Sequence, residues 1–487
     1  MIEWDKINKL YFVGIGGIAM SAAANLARQA DFEVSGSDSK EIYDPAKSVL
    51  DSNKIDYFVG YSEEHVKNSD ADVFIFSAGE DLENPEVKYV VEKNLPHIGF
   101  PQLLQYLAQD ELRLVVAGTH GKSTTTGLLG HLLKNLDNSS FFAGGVLQNY
   151  NSNFYKGQGH YFVLEGDEYK TEFDDPTPKF HYYKPDILVL TNLEYDHPDQ
   201  FSNIEDLANE FNHLIENMPE DGLIIYNADS HILNELVHRT NVSAVSFGVD
   251  NPADFRAEDI EYGPEFTKVD VSNKFSKNVS AHLIGATEEY KTQLPGKINV
   301  YNALAAIATL RALGFQQDQI ALDLLTYKGI KRRFEIVGKK NGILIVDDYA
   351  HHPTAVRETL EAARTKYKGT RIWAIFEPHT FSRTQATIDD LAKSFNAADE
   401  VLISEIYPAR EKKSEHTITS YDIVSRLTGS KRVSDKSADY KTPAVRLIHA
   451  KQEAIDILKA EAKPGDVIIV MAVGGFNRLA YELKETL

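Results

Sequence analysis

Short apolar runs recur along the chain, and most are followed by a polar turn and then by apolar positions three or four apart. The runs Leu10–Val13, Asp72–Ser77, Arg113–Ala117, His160–Glu165, Asp186–Asn192, Gly222–Asn227, Ile343–Asp348, Arg371–Glu377, Glu400–Glu405 and Asp466–Ala472 read as strands. Between them, Ala22, Leu26 and Ala30, then Leu128, Leu129, Leu132, Leu133 and Leu136, then Val356, Leu360 and Ala363 fall at helical spacing. Strands alternating with helices in this way predict an α/β fold with mostly parallel sheets. The stretch 253–297 differs: polar and apolar residues alternate there, which predicts antiparallel strands. No internal repeat or low-complexity tract interrupts the pattern.

A chain of 487 residues exceeds what one core can organise and suggests about three domains. Motifs place the boundaries before Arg113 and near Gly329, giving residues 1–110, 111–328 and 329–487. With 51 basic and 72 acidic side chains the net charge is -21, which opposes binding to nucleic acid or to an anionic membrane. Any anionic substrate must be held by local positive groups. The absence of cysteine excludes disulfides, thiolate metal sites and a cysteine nucleophile. The first residues lead straight into a strand without a signal-peptide pattern, and no apolar run approaches the ~20 residues of a membrane span. A soluble, cytoplasmic protein is expected.

The stretch from Gly118 to Thr124, GTHGKST, sits between the strand ending at Ala117 and the leucine-rich helical segment. A polyphosphate needs backbone N–H groups, a cation near its outer phosphates and a hydroxyl for Mg2+. Gly118 and Gly121 permit close approach, Lys122 supplies the charge and Ser123 the metal ligand, while Thr119, His120 and Thr124 complete the loop. The first glycine lies three residues before Gly121 rather than five, a shortened form of the general phosphate loop. ATP binding follows.

Gly14, Gly16 and Gly17 form a second glycine turn, after a strand and before a helix, and Asp38 ends the next strand about 22 residues beyond Gly16. Such a turn brings a diphosphate onto a helix N-terminus, and the acid can meet a ribose hydroxyl. NAD is one candidate ligand. A nicotinamide-dependent oxidoreductase, however, leaves the Gly118–Thr124 loop without a task, whereas a sugar nucleotide here and ATP at the second loop make a ligase.

Glu165 and His197 end two further strands and should reach the same sheet edge as Ser123, where an oxygen, a nitrogen and a hydroxyl suit Mg2+. For His197 a helix-capping or packing role competes with metal binding. Asn299 and Asn302 share a helical face and could read an adenine edge, although N-capping also explains Asn299. Arg333 belongs to a basic knot, residues 331–335, suited to a phosphate. Asp348, Tyr349 and His351 bunch at one strand end, and His379 and Arg383 follow another, where Arg383 could pair bidentately with a carboxylate.

Taken in order, GIGGIAMS, SGSD, GTHGKSTT, EGDE, TNLEYDH, KINVYNA, KRRFE, DDYAHHP and EPHTFSRT resemble the Mur ligases of peptidoglycan precursor synthesis over essentially the whole chain. The resemblance implies a Rossmann-like domain for the UDP-sugar, a central ATPase domain and a Rossmann-like domain for the incoming amine. It also implies that the lactoyl carboxylate of UDP-N-acetylmuramate is activated as an acyl phosphate and captured by an amine. By the same resemblance Lys122 grips the ATP phosphates, and Ser123, Glu165 and His197 hold Mg2+. Asn299 and Asn302 take the adenine, Arg333 a phosphate and Asp348 the ribose. Gly14, Gly16, Gly17 and Asp38 serve the UDP-sugar, and Tyr349, His351, His379 and Arg383 surround the amine and acyl group; Lys122, His197, His351 and Arg383 are the expected catalytic set. The C-terminal motifs, with Arg410, and the N-terminal turn point to L-alanine as the amine. The central motifs EGDEYKTEF, PKFHY and NLEYDHPDQF, with MAVGGFN near the end, lean to the tripeptide L-alanyl-γ-D-glutamyl-meso-diaminopimelate. L-Alanine is the expected substrate.

Overall fold

The computed structural model describes residues 2–196, 200–274, 287–409, 411–415, 417–429 and 443–487. His197 and Arg410 lie outside the described residues. Three sheets follow one another along the chain.

The first sheet contains β1 (Lys9–Val13), β2 (Glu33–Asp38), β3 (Asp56–Val59), β4 (Val73–Phe76) and β5 (His97–Gly99), in the order β3-β2-β1-β4-β5. All its pairings are parallel. The chain reverses its winding between β1 and β4, and the Gly14–Gly17 turn lies at that switch point. The helix Ile18–Gln29 begins with Gly17 as its N-cap and buries Ala22, Ala23, Leu26 and Ala27.

The second sheet is built from β6 (Leu112–Ala117), β7 (Ser140–Leu147), β8 (Ser152–Tyr155), β9 (Tyr161–Gly166), β10 (Ile187–Leu190), β11 (Leu223–Asn227), β12 (Ser243–Gly248), β13 (Phe255–Tyr262), β14 (Thr267–Asn273) and β15 (Thr287–Thr292). Its order is β15-β14-β13-β12-β11-β10-β6-β9-β7-β8. The inner strands are parallel and covered on both faces, which is why β10 reads as an unbroken apolar run with every residue buried. The expected antiparallel ladder is present as β13, β14 and β15, attached through a parallel β12–β13 pair. Leu128, Leu129, Leu132 and Leu133 of the helix Lys122–Asp137 pack into one core with the alanine-rich helix Lys297–Ala312.

The third sheet has β16 (Glu335–Lys340), β17 (Ile343–Asp348), β18 (Ile372–Phe376), β19 (Glu400–Ile403), β20 (Ala444–Leu447) and β21 (Val467–Met471), ordered β16-β17-β21-β18-β19-β20. Only the β16 edge is antiparallel. β17 and β18 both flank β21, so the segments after Asp348 and after Phe376 leave the sheet side by side. All ten runs read as strands from the sequence are strands. Among the described residues no helix is long and apolar enough to cross a membrane.

Candidate active site

The phosphate loop leaves β6 between its two sheet neighbours, β9 and β10, because Ala117 pairs with Gly166 on one side and Leu190 on the other. That registry brings the ends of three strands together. Gly121 has φ +83°, and a Cβ there would stand 2.4 Å from Asn302 Oδ1, so both conformation and space require glycine. The loop is also tied to the segment after β10. Thr191 Oγ1 donates to His120 O at 2.7 Å, Asn192 Oδ1 accepts His120 N–H at 2.8 Å, and Thr119 Oγ1 accepts Glu194 N–H at 2.9 Å. A preformed loop costs less ordering entropy when a ligand arrives.

Lys122 opens the following helix and folds back over its own loop. Its Nζ donates to Gly118 O at 2.6 Å and meets the Glu168 carboxylate at 2.8 Å. Burial pulls the ammonium pKa down, but Glu168, Asp167 and Glu165 outweigh it and raise it, so Lys122 is charged. Ser123 Oγ donates to Glu165 Oε1 at 2.7 Å, and Gly144 N–H donates to Glu165 Oε2 at 2.6 Å. Burial raises the Glu165 pKa despite these two bonds and Lys122. A carboxylate so placed is stabilised when a cation shares its pocket. Asn302 accepts from Thr125 Oγ1 at 3.1 Å and donates to Asn299 Oδ1 at 3.0 Å, so the two amides act as one unit on the cavity wall.

From the third sheet, Asp348 is buried, and its two oxygens accept Phe334 and Ala350 N–H groups, each at 2.7 Å. It therefore pins the basic knot to the strand end. The Tyr349 ring lies within cation–π distance of the guanidinium groups of both Arg332 and Arg333, at 5.1 and 4.9 Å. His351 Nδ1 donates to Tyr349 O at 2.8 Å; burial first, then Arg383, drives its pKa well down, so its ring is neutral and Nε2 carries a lone pair. His379 stacks over Tyr407 with centroids 5.9 Å apart and faces His351 at 5.6 Å.

Two of the expected site residues hold partners within the chain. Arg383 lines the cavity, but its Nε and Nη2 donate to Asp196 Oδ1 at 3.2 and 2.8 Å and its Nη1 to His379 Nδ1 at 2.9 Å. The fork expected to grip an incoming carboxylate is here engaged with the segment after β10. Asp38, expected at a ribose, accepts Gly16 N–H at 2.9 Å and so closes the glycine turn from within. Of Gly14, Gly16, Gly17 and Asp38, only Gly17 borders the adjoining cavity.

Two cavities converge on these residues. One, of about 700 Å3, runs from the phosphate loop and Asn299–Asn302 to His351, His379 and Arg383. The other, of about 1540 Å3, extends from Gly17 and Ser77 to Lys179, Arg332 and Arg478. Both are walled by Ser123, Glu165, Asp167, Arg333 and Tyr349. Asp167, Glu168, Lys179 and Asp196 escaped the sequence reading as individual site residues. The EGDE run carried a signal for Asp167, since side chains two apart at a strand end share a face.

A glycine loop with its lysine, a hydroxyl–carboxylate pair and a second, larger cavity, carried on three α/β domains, fit an ATP-dependent amide-forming ligase. The chain belongs to the Mur ligase family. Residues 9–111 match the family's "Mur ligase family, catalytic domain" model, 116–310 the "Mur ligase middle domain" and 332–474 the "Mur ligase, glutamate ligase domain". It is 33% identical to the UDP-N-acetylmuramate--L-alanine ligase of Clostridium acetobutylicum, with 96% of each chain covered. Among solved structures it resembles the UDP-N-acetylmuramate-alanine ligase of Thermotoga maritima (TM-score 0.78, 25% identity, 98% of each chain). It also resembles the murein peptide ligase of Psychrobacter arcticus (TM-score 0.72, 29% identity, 98% of each chain).

Proposed function

We propose that the protein joins L-alanine to the lactoyl carboxylate of UDP-N-acetylmuramate at the expense of ATP, in the cytoplasm. The observation that carries this reading is the meeting of the two cavities at Ser123, Glu165, Asp167, Arg333 and Tyr349. An ATP lying along the phosphate loop and a sugar nucleotide entering past Gly17 would bring γ-phosphate and carboxylate together there.

Lys122 and Arg333 lower the repulsion between the two anions as a carboxylate oxygen attacks the γ-phosphorus and ADP departs. The resulting acyl phosphate is attacked by the amine, the C–N bond forms, phosphate leaves, and the amine loses a proton. His351, neutral and with Nε2 available, is suited to accept that proton. Asn299 and Asn302 would take the adenine and Asp348 the ribose, while Tyr349, His379 and Arg383 shape the amine end. The hard oxygen donors of Ser123 and Glu165 fit Mg2+, with His197 as a further ligand, and the ion would neutralise phosphate charge when bound. Residues 1–110, 111–328 and 329–487 are the proposed UDP-sugar, ATP and amine domains.

The full-length alanine-ligase relatives support L-alanine. The likeness to the murein peptide ligase keeps the tripeptide as the competing amine. Formation of ADP is expected only with UDP-N-acetylmuramate and an amine together. Faster turnover of the tripeptide than of L-alanine at equal concentration would overturn the choice of amine and leave the ligase chemistry standing.

A further inference from the structure

Beside the phosphate loop, three side chains outside the proposed Mg2+ ligands converge across the boundary between the second and third sheets. His120 comes from the loop itself, Glu194 from the segment after β10, and His352 from the N-cap of the helix Pro353–Lys366. One nitrogen or oxygen from each lies within 4.8 Å of the others. His120 Nε2 is 3.5 Å from Glu194 Oε2 and, among the described residues, is buried without a hydrogen-bond partner. The two imidazole rings stand 4.9 Å apart. Thr354 Oγ1 donates to Glu194 Oε2 at 2.8 Å, orienting the carboxylate from the third domain as an outer support orients a metal ligand.

We propose that His120, Glu194 and His352 form a binding site for a borderline transition-metal ion of the Zn2+ class, with ligands distinct from those proposed for Mg2+ although His120 and His352 line the same cavity, and linking the second domain to the third. Two imidazoles and one carboxylate are the donor set of three-ligand zinc sites, with bonds of about 2.0–2.2 Å and a fourth position left open. The observed spacing of up to 4.8 Å exceeds that of bound ligands, so the three side chains would close on the ion as it binds. Mg2+ does not compete well, because it favours oxygen donors and retains its water. Since the ligands belong to two domains, the ion holds the domains in the closed arrangement that the nucleotide cavity requires.

The test uses the full chain stripped of metal, without nucleotide and with excess Mg2+ present. Calorimetry with ZnCl2 is expected to give one site per chain, and CoCl2 the visible absorption bands of a nitrogen- and oxygen-ligated ion of low coordination number. Thermal unfolding should shift upward with Zn2+. Glu194→Gln keeps an acceptor for Thr354, and His352→Asn keeps a helix N-cap, so both variants should fold; each should weaken Zn2+ binding at least about tenfold. Absence of saturable Zn2+ binding, or binding unchanged in both variants, overturns the site. Neither outcome bears on the ligase reading, because no nucleotide or sugar enters the measurement.

Discussion

Arg383 and Asp196 form a buried ion pair between the third and second domains, with Nη2 2.8 Å from Oδ1 and each side chain 9% exposed. The pair joins the start of the helix Phe381–Ser394 to the segment that follows β10, so it can exist only when the two domains are closed on each other. Removing one partner breaks this buried charge pair at a cost of about 3 kcal/mol, which a Lys–carboxylate contact recovers only in part. Arg383→Lys and Asp196→Asn are each expected to lower kcat/KM by about tenfold or more, or ~1.4 kcal/mol. The double variant should be no worse than the poorer single one. Fully additive losses would mean that the two residues act separately.

Lys122 and Glu168 offer a way to separate catalysis from stability. Lys122→Ala loses the cation proposed for the phosphates and leaves Glu168, 1% exposed on its side chain, without that partner. ADP formation should fall by at least about 10²-fold, and stability by roughly 1–3 kcal/mol. Adding Glu168→Gln should restore most of the stability and none of the activity. Recovery of ADP formation in the double variant would remove Lys122 from the phosphate site.

The parallel cores were legible because strands buried on both faces must be apolar along their length, as in β10 and β21. Several of the strands that escaped reading are edges or short, although β7 and β12, inside the second sheet, escaped as well. β3 is largely exposed and polar at its start, β5 has three residues, and β16 carries Glu335, Lys339 and Lys340 on the antiparallel edge of its sheet. Ser123 and Glu165 could be paired from sequence because both follow strands that parallel topology brings to one edge. Which partner a side chain finally holds was not legible. Arg383 reaches Asp196, 187 positions away, and Asp38 turns inward to Gly16, since both choices depend on packing between segments that spacing alone does not relate.

Gly17 isolates the proposed sugar-nucleotide site from the fold. A Cβ at Gly17 meets nothing nearer than 3.7 Å, whereas one at Gly16 would stand 2.7 Å from Asp38 Oδ2. Gly17→Val should therefore cost the fold only about 1 kcal/mol, chiefly as a poorer helix N-cap, while weakening UDP-N-acetylmuramate binding and sparing ATP, as calorimetry with each nucleotide would read. Gly16→Val should weaken both the turn and the fold. Loss of ATP affinity alone in Gly17→Val would reverse the assignment of the two cavities.

Glu165 accepts from Ser123 and Gly144, and its burial raises its pKa, so a cation in the pocket favours its charged form. Glu165→Gln keeps the shape and removes the charge. The Mg2+ concentration for half-maximal activity should rise about tenfold, since one charged ligand proposed for the hard cation is lost. Unaltered Mg2+ dependence with lowered stability would assign Glu165 to packing.

His352 supplies an acid sensitivity whose sign is fixed. Burial first, then the neighbouring His120, pushes its pKa from 6.5 down to about 4, although Asp196 and Glu194 act in the opposite sense. Between these values the unfolded chain binds the proton and the folded chain does not. Stability is therefore fully present above pH 6.5 and is lost as pH falls toward 4. The shift corresponds to roughly 3 kcal/mol for a side chain that is nearly buried. His352→Asn retains a side-chain oxygen at the helix N-cap and has nothing to titrate. In metal-free buffer, denaturant unfolding of this variant should show a shallower loss of stability than the wild type between pH 6.5 and 4, with the two profiles parallel above pH 7. Parallel profiles across the whole range would mean that His352 is already protonated in the folded protein, and that Glu194 compensates its charge.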